Sequence, residues 1–147
     1  MIVRRATLAD LSHMRAINIS CLEENYPKLF WKEAIESGAP HFVVSNGASK
    51  RPVGYLATMD NKDTVPSKFM VYSFAVVPNM RGRGLGKQLL AALLDVLESY
   101  RRDVWLNVRV SNAAAIKLYK DAGFKETRVI PGYYSCLEDA FEMILKI

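Results

Sequence analysis

The chain has 147 residues, half of them hydrophobic and about a quarter charged, which excludes a disordered chain and is enough to bury a core. Its longest apolar run, "LLAALLDVL", is too short to span a membrane, and Cys21 and Cys136 alone make neither a disulfide framework nor a zinc motif. The net charge of +5 fits an anionic ligand but is also common in ordinary globular domains.

The first predicted elements are a strand, "IVRRA", and a helix that opens at Thr7. Asp10 follows Thr7 by three residues, as in a capping box. The apolar face of this helix consists of Leu11, Met14, Ile17 and Cys21. A second, short helix is predicted from Lys28 to Ser37, because Gly38 follows it.

The middle of the chain predicts three strands and a long helix. "HFVVS" and "VGYLATMD" flank the loop "SNGASKRP" as an antiparallel pair, and "KFMVYSFAVV" is a third strand that ends before Pro78. The helix that follows has an apolar stripe of Leu85, Leu89, Leu93, Val96 and Tyr100.

The last third of the chain predicts a buried strand, "DVWLNVRV", and a helix, "NAAAIKLYKDAG", which ends at Gly123. Two strands, "FKETRVI" and "AFEMILKI", complete the pattern. No linker or repeat interrupts it. We therefore expect one mixed α/β (α+β) domain over residues 1–147, with a largely antiparallel sheet.

A glycine-rich loop with two arginines, "PNMRGRGLGKQLL" (78 to 90), joins the third strand to the long helix. Glycine allows successive N–H groups to converge, and the first turn of a helix adds unpaired donors and a favourable dipole. The loop therefore predicts a phosphate or pyrophosphate site, although a simple flexible turn would show the same glycines. Neither a Walker loop nor a dinucleotide fingerprint fits, because Gln88 follows Lys87 and the glycines are evenly spaced by two.

This loop, Arg81 to Gly86, resembles the acetyl-CoA pyrophosphate loop of the GNAT acetyltransferases, and "NVRVSNAAAIKLYKDAGF" resembles their second motif. The resemblance covers essentially the whole chain. It implies a GNAT fold, with a central, mostly antiparallel twisted sheet of six or seven strands and about four helices. It also implies acetyl-CoA as acetyl donor, without a metal. The cofactor-binding residues that it implies are Ala75, Val76, Val77, Arg81, Gly82, Arg83, Gly84, Leu85, Gly86, Lys87, Asn112 and Tyr119.

Two shorter stretches, "LEENYP" and "GYYSCLEDAFEM", resemble the archaeal and eukaryotic protein amino-terminal acetyltransferases. The bacterial enzymes that acetylate ribosomal-protein termini are the next resemblance. In this group the two stretches form the walls of a peptide groove. The substrate-binding residues implied are Leu22, Glu24, Tyr26, Tyr133 and Tyr134.

The resemblance gives Tyr119 the role of the acid that protonates the departing CoA sulfur. Ordinary pKa values of about 10 for a phenol and about 8.5 for a thiol make this transfer uphill by only about two units. From the local pattern alone, Tyr119 also fits a core-facing helix stripe. Asn112 is either a helix N-cap or a pantetheine contact.

The general base is less evident. The histidines that some relatives use are replaced by Met70 and Asn107, and His13 and His41 lie outside the motifs. Glu24 remains as the base or as the ligand of the substrate ammonium; a solvated loop carboxylate is the alternative, and Glu23 stands beside it.

Other functions remain open at this level: an inactive CoA-binding module, a basic nucleic-acid binder, and an acetyltransferase for lysine side chains or small amines. Scattered Lys and Arg pairs favour an ordinary solvated surface over nucleic-acid binding. We expect polypeptide amino termini as partners, with an auxiliary or ribosome-associated subunit as a further one, and neither specific nucleic acid nor membrane. With no apolar leader in the sequence, we expect a cytoplasmic protein.

Overall fold

The structure of the protein, a computed structural model, describes residues 1–61 and 67–147. Its strands are β1 (Ile2–Arg5), β2 (His41–Ser45), β3 (Pro52–Asn61), β4 (Lys68–Val76), β5 (Val104–Arg109), β6 (Lys125–Ile130) and β7 (Ala140–Leu145). Its α-helices are α1 (Leu11–Cys21), α2 (Lys28–Glu36), α3 (Leu85–Tyr100) and α4 (Ala113–Asp121). Within these two ranges no helix combines the length and the apolar character that crossing a bilayer requires.

The strands of the described ranges form one sheet of seven, in the order β1-β2-β3-β4-β5-β7-β6. Neighbouring strands are antiparallel except β4 and β5, which are parallel. Helices α1 and α2 pack on one face, and α3 and α4 on the other. The mixed α/β fold with a mostly antiparallel sheet is therefore confirmed.

The first helix differs from its predicted start. Residues Leu8–Asp10 form a 3₁₀ turn, and α1 begins at Leu11 rather than at Thr7. The Thr7 N–H donates to the Asp10 carboxylate at 2.9 Å, and Arg4 holds the same carboxylate through two bonds of 2.8 Å. The link from Arg4 on β1 to Asp10 anchors this segment as a tight turn before the α-helix.

Each face of the sheet has its own apolar core. On the α3 side, Leu89, Leu93 and Leu97 are fully buried. Of the predicted apolar stripe, Leu85, Leu89 and Leu93 are buried, whereas Val96 and Tyr100 are only partly buried. On the α1 side, Met14 and Trp31 are fully buried. The sheet therefore lies between two layers that fix its position from both sides.

A buried polar pair joins β2 to β4 within the core on the α1 side. His41 Nδ1 lies 2.8 Å from the Ala39 carbonyl, and Nε2 lies 3.0 Å from the Tyr72 hydroxyl. Because a carbonyl can only accept, Nδ1 carries the proton and Nε2 accepts from Tyr72. Burial lowers the pKa of His41 from its ordinary value near 6.5 to about 4, so the folded protein keeps this imidazole neutral.

We expect the free energy of unfolding to fall as the pH is lowered from about 6.5 to about 4. Over this window the unfolded chain protonates His41 and the folded chain does not, so acid favours unfolding, by on the order of 3 kcal/mol in total. Urea unfolding at several pH values measures this. His41→Gln should lose that part of the pH dependence, with His13→Gln as the control for loss of an imidazole. Equal slopes in the parent and in His41→Gln would contradict the assignment.

Candidate active site

A cavity of about 600 Å³ lies between β4 and β5, near the middle of the sheet. The two strands pair only at Phe69–Val104 and Met70–Trp105 and then separate. Beyond these pairs, residues 70–76 of β4 and residues 106–109 of β5 line opposite sides of the cavity. The edge of β4 that faces β5 therefore has backbone N–H and C=O groups that do not pair with a neighbouring strand.

The glycine-rich loop forms one end of this cavity, at the start of α3. Gly82 and Gly84 have φ values of +76° and +77°, and a Cβ added to either would meet no atom within 4 Å. The first helical N–H with a partner is that of Gln88, bonded to the Gly84 carbonyl at 3.0 Å, while the N–H groups of residues 82–87 have no acceptor among the described residues. The loop thus presents free donors around open space, which fits a pyrophosphate.

The open edge of β4 offers further donors. The Val77 N–H donates to the Val53 carbonyl at 2.9 Å. Successive N–H groups of an antiparallel strand point alternately toward and away from the neighbouring strand. The Ala75 N–H is therefore directed toward β3, and the Val76 N–H toward the cavity. Arg81 Nε donates to the Val76 carbonyl at 2.8 Å, which ties the loop to the strand. Of the predicted cofactor-binding residues Ala75 and Val76, it is therefore Val76 whose N–H is directed at the cavity.

Helix α4 places Tyr119 on the cavity wall. Its side chain is 7% exposed and lies between the rings of Phe74 and Phe124. Its hydroxyl has no hydrogen-bond partner in the part of the chain that the structure describes, and burial raises the pKa of Tyr119 above its usual value. The phenol therefore stays protonated and free to donate, although its full proton transfer to a thiolate is more uphill than ordinary pKa values suggest.

The segment between α1 and α2 forms one wall of the other end of the cavity. Asn18 Nδ2 donates to the Glu24 carbonyl at 3.0 Å, and the Tyr26 hydroxyl donates to the Tyr72 carbonyl at 3.2 Å. Tyr72 is the extra residue of a β-bulge in β4, opposite the junction of Ala57 and Thr58. These bonds fix the segment against α1 and β4, so that Glu24 and Tyr26 line the cavity.

The opposite wall is the segment between β6 and β7. Tyr133 and Tyr134 lie edge to face, with ring centroids 4.8 Å apart, and both line the cavity. Burial is the main cause of the raised pKa of Tyr134, and the nearby Tyr133 and Glu24 raise it further. Its hydroxyl therefore remains protonated. The structure therefore brings the two predicted groove segments to one end of the cavity, although they are more than a hundred residues apart in sequence.

Arg109, the last residue of β5, connects the two walls and was missed in the sequence. Its guanidinium forms ion pairs with Glu23 at 3.3 Å, with Glu24, and with Glu138 at 3.4 Å. The same group lies over the Tyr134 ring, 4.0 Å from its centroid. The only sign of its role in the sequence was the position of an arginine near the end of a predicted buried strand.

Most of the predicted site residues line this one cavity, and a few do not. The predicted residues that line it are Leu22, Glu24, Tyr26, Ala75, Val76, Arg81, Gly82, Gly84, Leu85, Gly86, Asn112, Tyr119, Tyr133 and Tyr134. Val77, Arg83 and Lys87 lie outside it. Asn112 caps α4, accepting from the Ala115 N–H at 3.1 Å, and lines the cavity as well.

Two further wall residues stand at the positions where the resemblance described above implies a histidine in some relatives. Met70 and Asn107 both line the cavity, at the point where β4 and β5 begin to separate. The Asn107 Oδ1 atom is buried and has no hydrogen-bond partner among the described residues. Neither side chain offers a base of ordinary strength, and among the described residues Glu24 is the carboxylate that lines the cavity.

Comparisons with known proteins agree with this geometry. The Acetyltransferase (GNAT) family matches residues 11–124. An N-alpha-acetyltransferase of Sulfurisphaera tokodaii is 36% identical over 96% of this chain and 90% of its own length. The N-terminal acetyltransferase A complex catalytic subunit NAA10 of Arabidopsis thaliana is 35% identical over 96% of this chain and 75% of its own.

Among solved structures, the NatC complex bound to Gag peptide and CoA contains a chain with a TM-score of 0.89 to this one. The match covers 99% of this chain and 98% of that chain at 21% identity, and so shows a shared fold. The family match covers more than half of the chain, and the curated relatives align over nearly all of it. The chain therefore belongs to the GNAT acetyltransferase family and, within it, is similar to the N-alpha-acetyltransferases.

Proposed function

We propose that residues 1–147 act as a single domain that moves an acetyl group from acetyl-CoA to the free amino terminus of a polypeptide, directly within a ternary complex. One observation carries the proposal. A single cavity runs from the unpaired N–H groups of the glycine loop, past Tyr119, to Glu24 and the paired tyrosines. Donor and acceptor can therefore meet in one continuous space without a covalent enzyme intermediate.

At the donor end, the loop from Gly82 to Lys87 would hold the pyrophosphate through its N–H groups and the start of α3. Arg81 adds a positive charge there. The NatC complex was solved with CoA bound, which supports a CoA ligand for this fold. Arg83 and Lys87 do not line the cavity, but they belong to this loop and add positive charge to it, and we keep them in the proposed donor site.

At the centre, the Val76 N–H would donate to the thioester carbonyl and stabilise the negative charge that develops on its oxygen. Tyr119 would donate its hydroxyl hydrogen to the departing sulfur. Since burial raises the pKa of Tyr119, the phenol is fully protonated at neutral pH when transfer begins. The raised pKa makes complete proton transfer to the sulfur less favourable than from an ordinary phenol, so Tyr119 would act first as a hydrogen-bond donor to the developing thiolate.

At the acceptor end, Glu24 would bind the amine and accept its proton. Arg109 holds this carboxylate in place from β5, while Asn18 holds its backbone from α1. Leu22 and Tyr26, with Tyr133 and Tyr134, would enclose the first residues of the peptide. Tyrosine hydroxyls can bond an extended backbone regardless of its side chains.

The absence of a histidine from the acceptor wall favours an α-amine over a lysine. An α-amine with a pKa near 7.8 is roughly a tenth neutral at pH 7, whereas a lysine with a pKa near 10.4 is neutral at only about 0.04%. A site with a weakly basic carboxylate can deprotonate the first far more readily. An acetyltransferase acting on lysine side chains is therefore the weaker alternative.

We also include an auxiliary or ribosome-associated subunit and a cytoplasmic location in the proposal. The Arabidopsis relative is named as the catalytic subunit of a complex, and the NatC structure is that of a complex. Both support a partner subunit for this chain. Co-purification of the tagged protein from its own cells would identify that subunit.

The acceptor is tested with two matched peptides and acetyl-CoA. One has a free amino terminus and no lysine; the other has a blocked terminus and one internal lysine. We expect at least about a hundredfold higher kcat/KM for the first, from the difference in neutral amine. Comparable rates on both would contradict an α-amine acceptor, and no thiol release with either would indicate an inactive CoA-binding module.

Tyr119→Phe should lower kcat by on the order of 100-fold while the Kd for acetyl-CoA and the peptide KM stay close to those of the parent. Phenylalanine keeps the packing against Phe74 and Phe124 but removes the hydroxyl that would donate to the sulfur. Calorimetry and a thiol-release assay separate the two quantities. Unchanged kcat would mean that Tyr119 serves only the core.

Arg109→Met should raise the peptide KM about tenfold or more and leave the Kd for acetyl-CoA unchanged, because Arg109 positions Glu24 and Tyr134 at the acceptor end alone. Arg109→Lys should recover part of this loss, since it keeps the charge without the planar fork. Arg128→Met is the matched control, because Arg128 pairs with Glu142 at 3.1 Å on the outer strands. Equal effects on both substrates would point to a general structural role.

A further inference from the structure

The acceptor end of the cavity has more negative charge than its cation can balance. Glu23, Glu24 and Glu138 all contact the Arg109 guanidinium, and three carboxylates against one guanidinium leave a net charge of −2. Within the described ranges, these carboxylates form no ion pair with any other cation. We call Glu23, Glu24, Glu138 and Arg109 the acidic cluster.

Both terminal nitrogens of Arg109, the single cation of the acidic cluster, already contact groups of the protein. Arg109 Nη1 contacts Cys136 Sγ at 3.0 Å and Glu138, its Nη2 contacts Glu23 and Glu24, and its face covers the Tyr134 ring. A carboxylate on an incoming peptide would therefore have to compete with these contacts for Arg109. It would also add to three like charges.

Carboxylates of the acidic cluster are also accessible to a ligand. The Glu23 side chain is 73% exposed, and Glu24 lines the cavity beside Tyr26. Glu138 is kept ionised, because hydrogen bonding to Ser111, whose N–H donates at 3.0 Å, lowers its pKa. Glu24 and Arg109 thus line the cavity itself, and Glu23 and Glu138 contact Arg109 beside it.

We propose that the acidic cluster selects against polypeptide termini with an acidic residue at either of the first two positions and favours neutral or basic residues there. This rests on the proposed function and names the acceptors of that site. The whole chain carries +5, so its overall charge would attract an acidic peptide, and the cluster must act locally. Two extended residues span only about 7 Å, within the screening length of about 10 Å at 0.1 M salt.

The test compares peptides with free amino termini that differ only by Glu or Gln at position two, and a second pair that differs at position seven. We expect kcat/KM to favour Gln roughly tenfold at position two, from like-charge repulsion over a few ångströms. At position seven the ratio should be near one. The preference at position two should shrink in 1 M salt, where screening acts over about 3 Å.

Glu23→Lys should reduce or reverse the preference for Gln at position two, because it turns the net charge of the cluster from −2 to zero. Glu98→Lys on α3 makes the same change of charge outside the cavity and should leave the preference unchanged. Efficient transfer to neutral termini with a Gln to Glu ratio near one at position two would overturn the selection and keep the proposed function. No transfer to any free terminus would overturn both.

Discussion

The separation of β4 and β5 is the feature on which the rest of the site depends. Parallel neighbours in a sheet normally stay about 4.8 Å apart, but these two share only the pairs Phe69–Val104 and Met70–Trp105. The first turn of α3 packs beside the gap, and a Cβ on Gly86 would lie 3.5 Å from Phe74 and 3.6 Å from Leu118. Unpaired backbone groups on an open strand edge are costly in a dry core, and here they line a cavity that a substrate can fill.

The two ends of this cavity have opposite electrostatic character. The end at α3 offers backbone N–H groups, the positive end of a helix dipole and Arg81. The other end offers carboxylates held around Arg109. An anionic donor and a cationic acceptor are therefore drawn to different ends, and Tyr119 lies on the wall of the space they share. In the proposed function, this charge separation along one cavity would orient both substrates before reaction.

Buried polar contacts give the acceptor wall its rigidity. The Asn18 amide reaches both the Glu24 carbonyl and the Ser73 hydroxyl, and Ser73 bonds the Tyr55 hydroxyl at 2.6 Å. A loop held this way from α1 and from β4 would lose little entropy on binding the proposed peptide. The same region carries the β-bulge at Tyr72, whose carbonyl is satisfied by Tyr26. The wall and the bulge therefore stabilise each other.

The strands, the α-helices apart from the start of α1, and the glycine loop follow from the sequence alone, because periodicity and glycine placement act over a few neighbouring residues. Folding alone settled the two separate cores and the groups that meet: the Val76 N–H faces the cavity, Val77 does not line it, and Arg109 joins two distant segments. These features depend on the alternating direction of N–H groups along the antiparallel strands and on the position of β5 between β4 and β7 in the sheet. Interactions between residues far apart in the chain leave no local pattern, so an arginine that ends a strand reveals its partners only after folding.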